Sequence, residues 1–254
     1  MVLPLRMKSM RPLVRYVDED QAVIDAHFAT TLAWSTVDQK NAPNIEVLIE
    51  IKGPDGFQDE TRMPVELVGR TGHVKFDLVQ PERWWPAGMG KQALYELSIN
   101  LVINNEPVDR QTVTLGLTSV RHNTDAEKTD LPALLVNGQL CDIHSVVMVD
   151  QATEDQLLPA TGDSLLLVRD HYGPEVLYDA ADRAGILLVQ CVPIHPEGQP
   201  EVEVPTQVER LVRHPSLAGW FVGHLGRLSD RIAGHISTLD PTRSVFRQIP
   251  VEIE

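Results

Sequence analysis

The chain has little of several things that narrow its chemistry. Only two cysteines occur in 254 residues, Cys141 and Cys191. Two are too few for a disulfide scaffold, and both lie in apolar runs, where a free thiol packs as a small hydrophobe. Cations are scarce: 22 Lys and Arg stand against 36 Asp and Glu, for a net charge of −14 and a pI near 5.0. That deficit argues against a nucleic-acid partner, since phosphate binding needs clustered Lys and Arg, and against docking on anionic lipid. A neutral or cationic ligand is compatible with it, although acidity also serves solubility. No apolar run approaches the roughly 20 residues of a membrane span. The N-terminal stretch, Met1 to Gln21, has basic residues but no apolar segment of signal-peptide length. The expectation is a cytoplasmic chain with no membrane partner. Aromatics make up 5% and hydrophobic residues 43%, enough for one large or two ordinary cores.

Motifs for several chemistries are also missing. There is no glycine-rich loop opening a helix; Gly88 and Gly90 lie in a strand-rich region. There is no G-x-S-x-G nucleophile elbow, and no spaced metal-ligand motif such as HxH or HExxH. The sequence therefore assigns no cofactor and no metal.

What is present divides in two. From about Leu13 to Ser119 the apolar residues alternate or come in short runs. His27 to Trp34, Glu46 to Ile51, Val65 to Val68, His73 to Val79, Tyr95 to Ile103 and Asp109 to Leu117 read as strands. Gly53-Pro54-Asp55-Gly56 and Asn104-Asn105 read as turns. Short strands over about 100 residues predict an immunoglobulin-like sandwich. Within it, Trp84 and Trp85 could form a sugar-stacking platform or a packed corner. Adjacent side chains of an extended segment point opposite ways, which favours sending one inward.

After an Asn137-Gly138 hairpin the pattern changes to strand, helix, strand. Strands are predicted at Val146 to Val149, Leu165 to Val168, Leu187 to Cys191, Gly219 to Val222 and Val245 to Gln248. Helices are predicted at Glu175 to Ala184, Thr206 to Arg213 and Ser229 to Leu239, with at most a helical turn in Gln151 to Asp163. These are βα units on a parallel sheet. In such sheets ligands bind at the carboxyl ends of the strands. Arg169, His171, Gln190, His195, Trp220 and His224 are the candidate ligand-binding residues there. Asp150, His171, His195 and His224 could also meet at one rim, as a metal-dependent hydrolase would require.

Six segments in order carry a resemblance to one family. Pro81 to Leu97 contains the Trp84-Trp85-Pro86 corner followed by Leu94-Tyr95. Leu115 to Arg121 leads out of the sandwich, and Leu134 to Leu140 holds the Asn137-Gly138 turn. Pro174 to Val189, His214 to Trp220 (with His214-Pro215-Ser216) and Leu239 to Arg243 (with Asp240-Pro241-Thr242-Arg243) follow. Together, from about Phe76 to Val245, they resemble glycoside hydrolase family 2, the β-galactosidase, β-mannosidase and β-glucuronidase group. The resemblance implies a sandwich at residues 1–119 and a (β/α) TIM-type barrel from 120 to 254. A closed barrel takes about 250 residues, so a truncated half-barrel is expected.

The family's retaining chemistry uses two carboxyl groups about 5–5.5 Å apart. Its acid follows the strand after His-Pro-Ser, in an Asn-Glu pair. Here His224 stands at the Asn and Leu225 at the acid, and leucine cannot transfer a proton. The family's nucleophile comes from a later strand, beyond the five predicted here. No catalytic residue is therefore assigned. The resemblance implies an inactive relative with a carbohydrate-binding or scaffold role. The alternative is a hydrolase with a non-standard site, completed by oligomerisation. Missing barrel strands would leave the inner sheet face wet, which predicts a homodimer.

Overall fold

The computed structural model describes residues 5–34, 44–123, 133–149, 164–194, 200–223 and 226–248. Seven antiparallel strands come first: β1 (Met7–Val17), β2 (Gln21–Trp34), β3 (Ile45–Lys52), β4 (Gln58–Pro64), β5 (Leu67–Val79), β6 (Leu94–Ile103) and β7 (Glu106–Gly116). They form two sheets, ordered β1-β2-β5 and β4-β3-β6-β7. Alternation places one face of each against a shared core. Ile45, Val47, Ile49 and Ile51 of β3 meet Ile24, Ala26 and Phe28 of β2, with Val74, Phe76 and Leu78 of β5. Asn104 and Asn105 both take positive φ, as a two-residue hairpin turn of the right twist requires.

Two details differ from the sequence reading. The end of the Val65 run, Leu67 and Val68, joins the His73 run in a single strand, β5, which passes through Gly69 at φ 61°. Strand β4 carries no apolar alternation, because almost all of its length is exposed at the sheet edge. Among the described residues before Ser119 the only helical segment is the short 3-10 turn Pro54–Gly56.

A small antiparallel sheet follows: β8 (Val120–His122), β9 (Leu134–Val136) and β10 (Gln139–Cys141). The turn between β9 and β10 is Asn137-Gly138, at φ 50° and 82°. Then five parallel strands lie side by side in chain order: β11 (Ser145–Val149), β12 (Ser164–Val168), β13 (Leu187–Cys191), β14 (Leu217–Phe221) and β15 (Ser244–Phe246). Three helices connect them: α1 (Glu175–Ala184), α2 (Pro200–Leu211) and α3 (Arg227–Leu239). Segment 150–163, where the sequence predicts at most a helical turn, lies outside the described residues.

All three helices pack on one face of this sheet. Leu166, Val168, Leu188, Trp220 and Val222 meet Leu177, Tyr178, Val204, Val208, Ile232 and Ile236 there. The opposite face holds Leu165, Leu167, Leu187, Val189, Cys191 and Phe246, which cluster with Trp84, Val120, Leu134, Val136 and Ile143. That face is buried within a single chain. The wet inner face that predicted a homodimer is absent from these runs, because the β8–β10 sheet and the Trp84 corner lie against it.

Trp84 is fully buried and Trp85 half-buried, with the Arg83 guanidinium 4.9 Å over its ring. The pair is a corner joining the two halves. Ala87 N–H donates to the carbonyl of Gly185 at 2.9 Å, and Gly185 ends α1 at φ 73°. A Cβ at Gly185 would lie 2.5 Å from Ala87 N, whereas one at Gly138 would meet nothing within 4 Å. Left-handed backbone costs an L-residue about 1–2 kcal/mol. Gly138→Ala should therefore lose about 1 kcal/mol in urea unfolding. Gly185→Ala should lose at least twice that, because the contact adds to the backbone cost; equal losses would show that the corner gives way freely.

Candidate functional site

The strand ends form the candidate site. Arg169 follows β12, and its N–H donates to the Val149 carbonyl at 3.1 Å. Its guanidinium is partly exposed and lies 3.4 Å from Asp170 Oδ2. Asp170 adopts φ 63°, which turns the chain sharply at the rim. His171 contacts the Arg169 carbonyl through Nδ1 at 2.7 Å and is half-buried. Arg169, Asp170 and His171 are thus adjacent on one loop. Asp170 is the carboxylate among the described strand-end residues. His195, His224, Leu225 and Asp150 lie outside the described residues, so the rim of histidines cannot be assembled around His171.

Two other candidates have structural placements. Gln190 is fully buried. Its Oε1 accepts from Gly173 N at 3.1 Å and Tyr178 Oη at 2.6 Å, and its Nε2 donates to the carbonyls of His171 and Cys191 at 2.8 and 2.5 Å. It holds the loop after β12 onto the sheet. Trp220 is fully buried in the helix-side core, and its indole N–H donates to Asp240 Oδ2 at 2.8 Å. It offers no face to a sugar. The sequence places both at strand ends correctly but cannot say which face of the sheet each side chain takes.

Around the sheet run several polar ties. Asp182, on the buried side of α1, accepts from Ser216 N–H at 3.1 Å and Ser216 Oγ at 2.5 Å, and its Oδ2 is 2.6 Å from His214 Nδ1. Its own carbonyl accepts the Trp84 indole N–H at 2.8 Å. Asn137 donates to the Trp84 carbonyl and accepts from Ser119 N–H, both at 2.9 Å. Asp240 receives Thr242 N–H and Oγ1, while Arg243 donates to the carbonyls of Leu217 and His214 at 2.7 and 2.8 Å. Nothing in spacing alone marked Asn137, Asp240 or Arg243 as side chains that tie segments together.

The profile described as glycosyl hydrolases family 2 matches residues 15–117. An exo-β-D-glucosaminidase of Streptomyces avermitilis is 31% identical over 191 residues, 65% of this chain and 21% of its own length. β-Mannosidase B of Emericella nidulans is 26% identical over 178 residues, 61% of this chain and 21% of its own. The solved β-D-mannosidase of Dictyoglomus thermophilum superposes with a TM-score of 0.71 at 20% identity, over 95% of this chain and 34% of that one. A family 2 member from Bacteroides cellulosilyticus gives 0.71 at 15% identity, over 97% and 35%. Together these matches support membership of glycosyl hydrolase family 2. It spans about a fifth of the length of the curated relatives named here.

In this family 2 chain the segments that carry the resemblance are the tying residues: Trp84, Asn137, Asp182, His214, Ser216, Asp240 and Arg243 all make the bonds just described. Their electrostatics follow from burial. Burial alone would push the His214 imidazole down, but hydrogen bonds to Asp182 and Glu175 outweigh it and hold its pKa above the ordinary value. Burial would raise the Glu175 carboxyl, but His214, Arg213 and Arg210 bring it down to about 2. Burial pushes the Cys191 thiol up to about 12, with Asp170 adding to the rise, which leaves it no thiolate to act with at neutral pH.

Two outcomes are expected. A raised imidazole contributes stability that is complete below its unfolded pKa and lost as pH climbs through the folded one. The lowered Glu175 contributes stability that is complete above about pH 4.5 and lost as pH falls toward about 2. The urea midpoint should therefore decline as pH rises above about 6.5, and His214→Gln should flatten that arm while lowering the whole curve. Separately, Cys191 and Cys141, both buried, should resist alkylation at pH 8 for hours in the folded chain and react within minutes in denaturant. Rapid labelling of Cys191 in the folded state would contradict its burial.

Proposed function

We propose that this family 2 chain binds carbohydrate at the strand-end rim and does not itself hydrolyse glycosides. The observation that carries the reading is the pair His224-Leu225, which stands where the family resemblance places an Asn and the catalytic acid. A hydrolytic step needs a proton donor near neutral pH and a second carboxyl group about 5–5.5 Å away. Asp170 and its neighbour Arg169 cannot serve as that pair.

The domain division proposed is 1–119 for the immunoglobulin-like sandwich and 120–254 for part of a (β/α) barrel. Supporting the barrel reading, five parallel strands run in chain order with all three helices on one face. A doubly wound sheet would reverse strand order and place helices on both faces.

Relatives named for β-mannosidase and exo-β-D-glucosaminidase activity point to a β-linked hexoside or hexosaminide as the ligand class. A glucosaminide is cationic near neutral pH, which suits a chain of net charge −14 with Asp170 exposed at the rim. Arg169 and His171 would meet sugar hydroxyls.

Purified chain should not release nitrophenol from β-D-mannoside or β-D-glucosaminide substrates over hours. Calorimetric titration with the same glycosides, or with chitosan oligomers, should show binding that Arg169→Ala weakens at least tenfold, with circular dichroism unchanged. Sustained turnover that is lost in His224→Ala would overturn the inactive reading in favour of a rebuilt site. Absence of any glycoside binding would leave a scaffold role in its place.

A further inference from the structure

The outward face of the β1-β2-β5 sheet carries a side-chain cluster remote in sequence from the strand-end rim. Asp25 and His27 stand two residues apart on β2, hence on the same face. His73 on β5 is the direct cross-strand partner of His27. One potential ligand atom from each of the three lies within 4.8 Å of the others. The two imidazoles stack with centroids 4.7 Å apart. His27 Nε2 is 3.2 Å from Asp25 Oδ1, and His73 Nε2 meets the same oxygen. Arg15 holds the other carboxylate oxygen, Oδ2, through Nε at 2.9 Å.

Satisfaction of the buried atoms is incomplete here. Asp25 is 7% exposed. Its Oδ1 and the Nε2 of His27 are both buried, and neither makes a hydrogen bond among the described residues. They face each other at 3.2 Å, and Oδ1 also faces His73 Nε2, at ion-pair distance but without hydrogen-bond geometry, an arrangement that calls for an explanation. The other compact group of this kind, Glu175, Asp179 and His214, is occupied: Arg210 and Arg213 pair with Glu175, and Asp182 holds His214.

We propose that Asp25, His27 and His73 form a binding site for a divalent transition-metal cation of the zinc class on the outer face of the sandwich. Two imidazole nitrogens and one carboxylate oxygen form a donor set that suits zinc, cobalt, nickel or copper better than magnesium or calcium. Tetrahedral ligands at about 2.0–2.1 Å from the ion lie about 3.3 Å apart, and the His27–Asp25 separation of 3.2 Å matches that already. The half-exposed His73 ring can move outward to admit the ion, and the open side leaves a fourth position to water. Arg15 fixes the carboxylate through Oδ2, which leaves Oδ1 to face the imidazoles. The ion would pin β2 to β5 and needs no part in chemistry at the strand ends.

The test uses the full chain, stripped with chelator and titrated with zinc chloride by calorimetry. One equivalent should bind, and His27→Ala and His73→Ala should each weaken binding on the order of 100-fold. Asp179→Asn, in the other group, should bind zinc as the unaltered chain does. Because His73 is half-exposed, its substitution should leave the fold intact, checked by circular dichroism. Zinc should raise the melting temperature of the unaltered chain and not that of His73→Ala. Cobalt should give visible d–d absorption that His73→Ala removes. The proposal fails if no zinc binds at millimolar concentration, or if both histidine variants bind it as tightly as the unaltered chain.

Discussion

The fold depends on keeping the Asp182 carboxylate supplied with donors. It sits in the interior at 2% exposure, where an unpaired charge costs several kcal/mol. Three donors answer it: the backbone and hydroxyl of Ser216, and the ring of His214. Those donors come from the turn entering β14, while Asp182 belongs to α1, so satisfying the charge fixes α1 against the sheet. The same residue's carbonyl receives the Trp84 indole, which brings in the sandwich. Neighbouring ties follow the same line. Pro215 lies against Gly116, where a Cβ would be only 2.5 Å from the proline ring, and Arg213 donates to the Thr114 carbonyl. One buried residue thus ties three segments far apart in the chain, two through its carboxylate and the third through its carbonyl.

This arrangement separates structural conservation of form from chemistry. The residues through which the chain resembles family 2 glycosidases are occupied in holding the fold: Trp84 and Asn137 at the junction, Asp182, His214 and Ser216 beneath it, Asp240 and Arg243 behind β14. Loops at strand ends tolerate substitution with little loss of packing, so the tying residues can persist whatever stands at those ends. Membership of the family speaks to architecture, and activity has to be argued from the site.

The parallel sheet is closed on both faces by this same chain. Helices α1 to α3 take one side, and the β8–β10 sheet with Trp84 takes the other. This explains why β12 and β13 are buried along their whole length, the pattern of parallel strands covered on both faces. It also leaves the Arg169 loop as a rim above a dry interior, so any ligand would meet it from outside.

By itself the sequence determined most of the local structure. Periodicity set α1 at Glu175–Ala184 and β13 at Leu187–Cys191. Gly185 stops α1 because only glycine takes its left-handed turn beside Ala87 without cost, and Asn137-Gly138 makes a hairpin for the same backbone reason. These signals are legible because they depend on neighbours along the chain. The edge strand β4 was not legible, since it buries no face and leaves no alternation to read. Only the tertiary structure decided where side chains at strand ends point: Trp220 into the core onto Asp240, Gln190 inward under its loop, Arg169 partly toward solvent. It alone placed His73 beside Asp25 and His27, because cross-strand pairing joins residues more than 40 positions apart in sequence. Local pattern records which face of an element is buried; which partner fills that face depends on contacts that close through space.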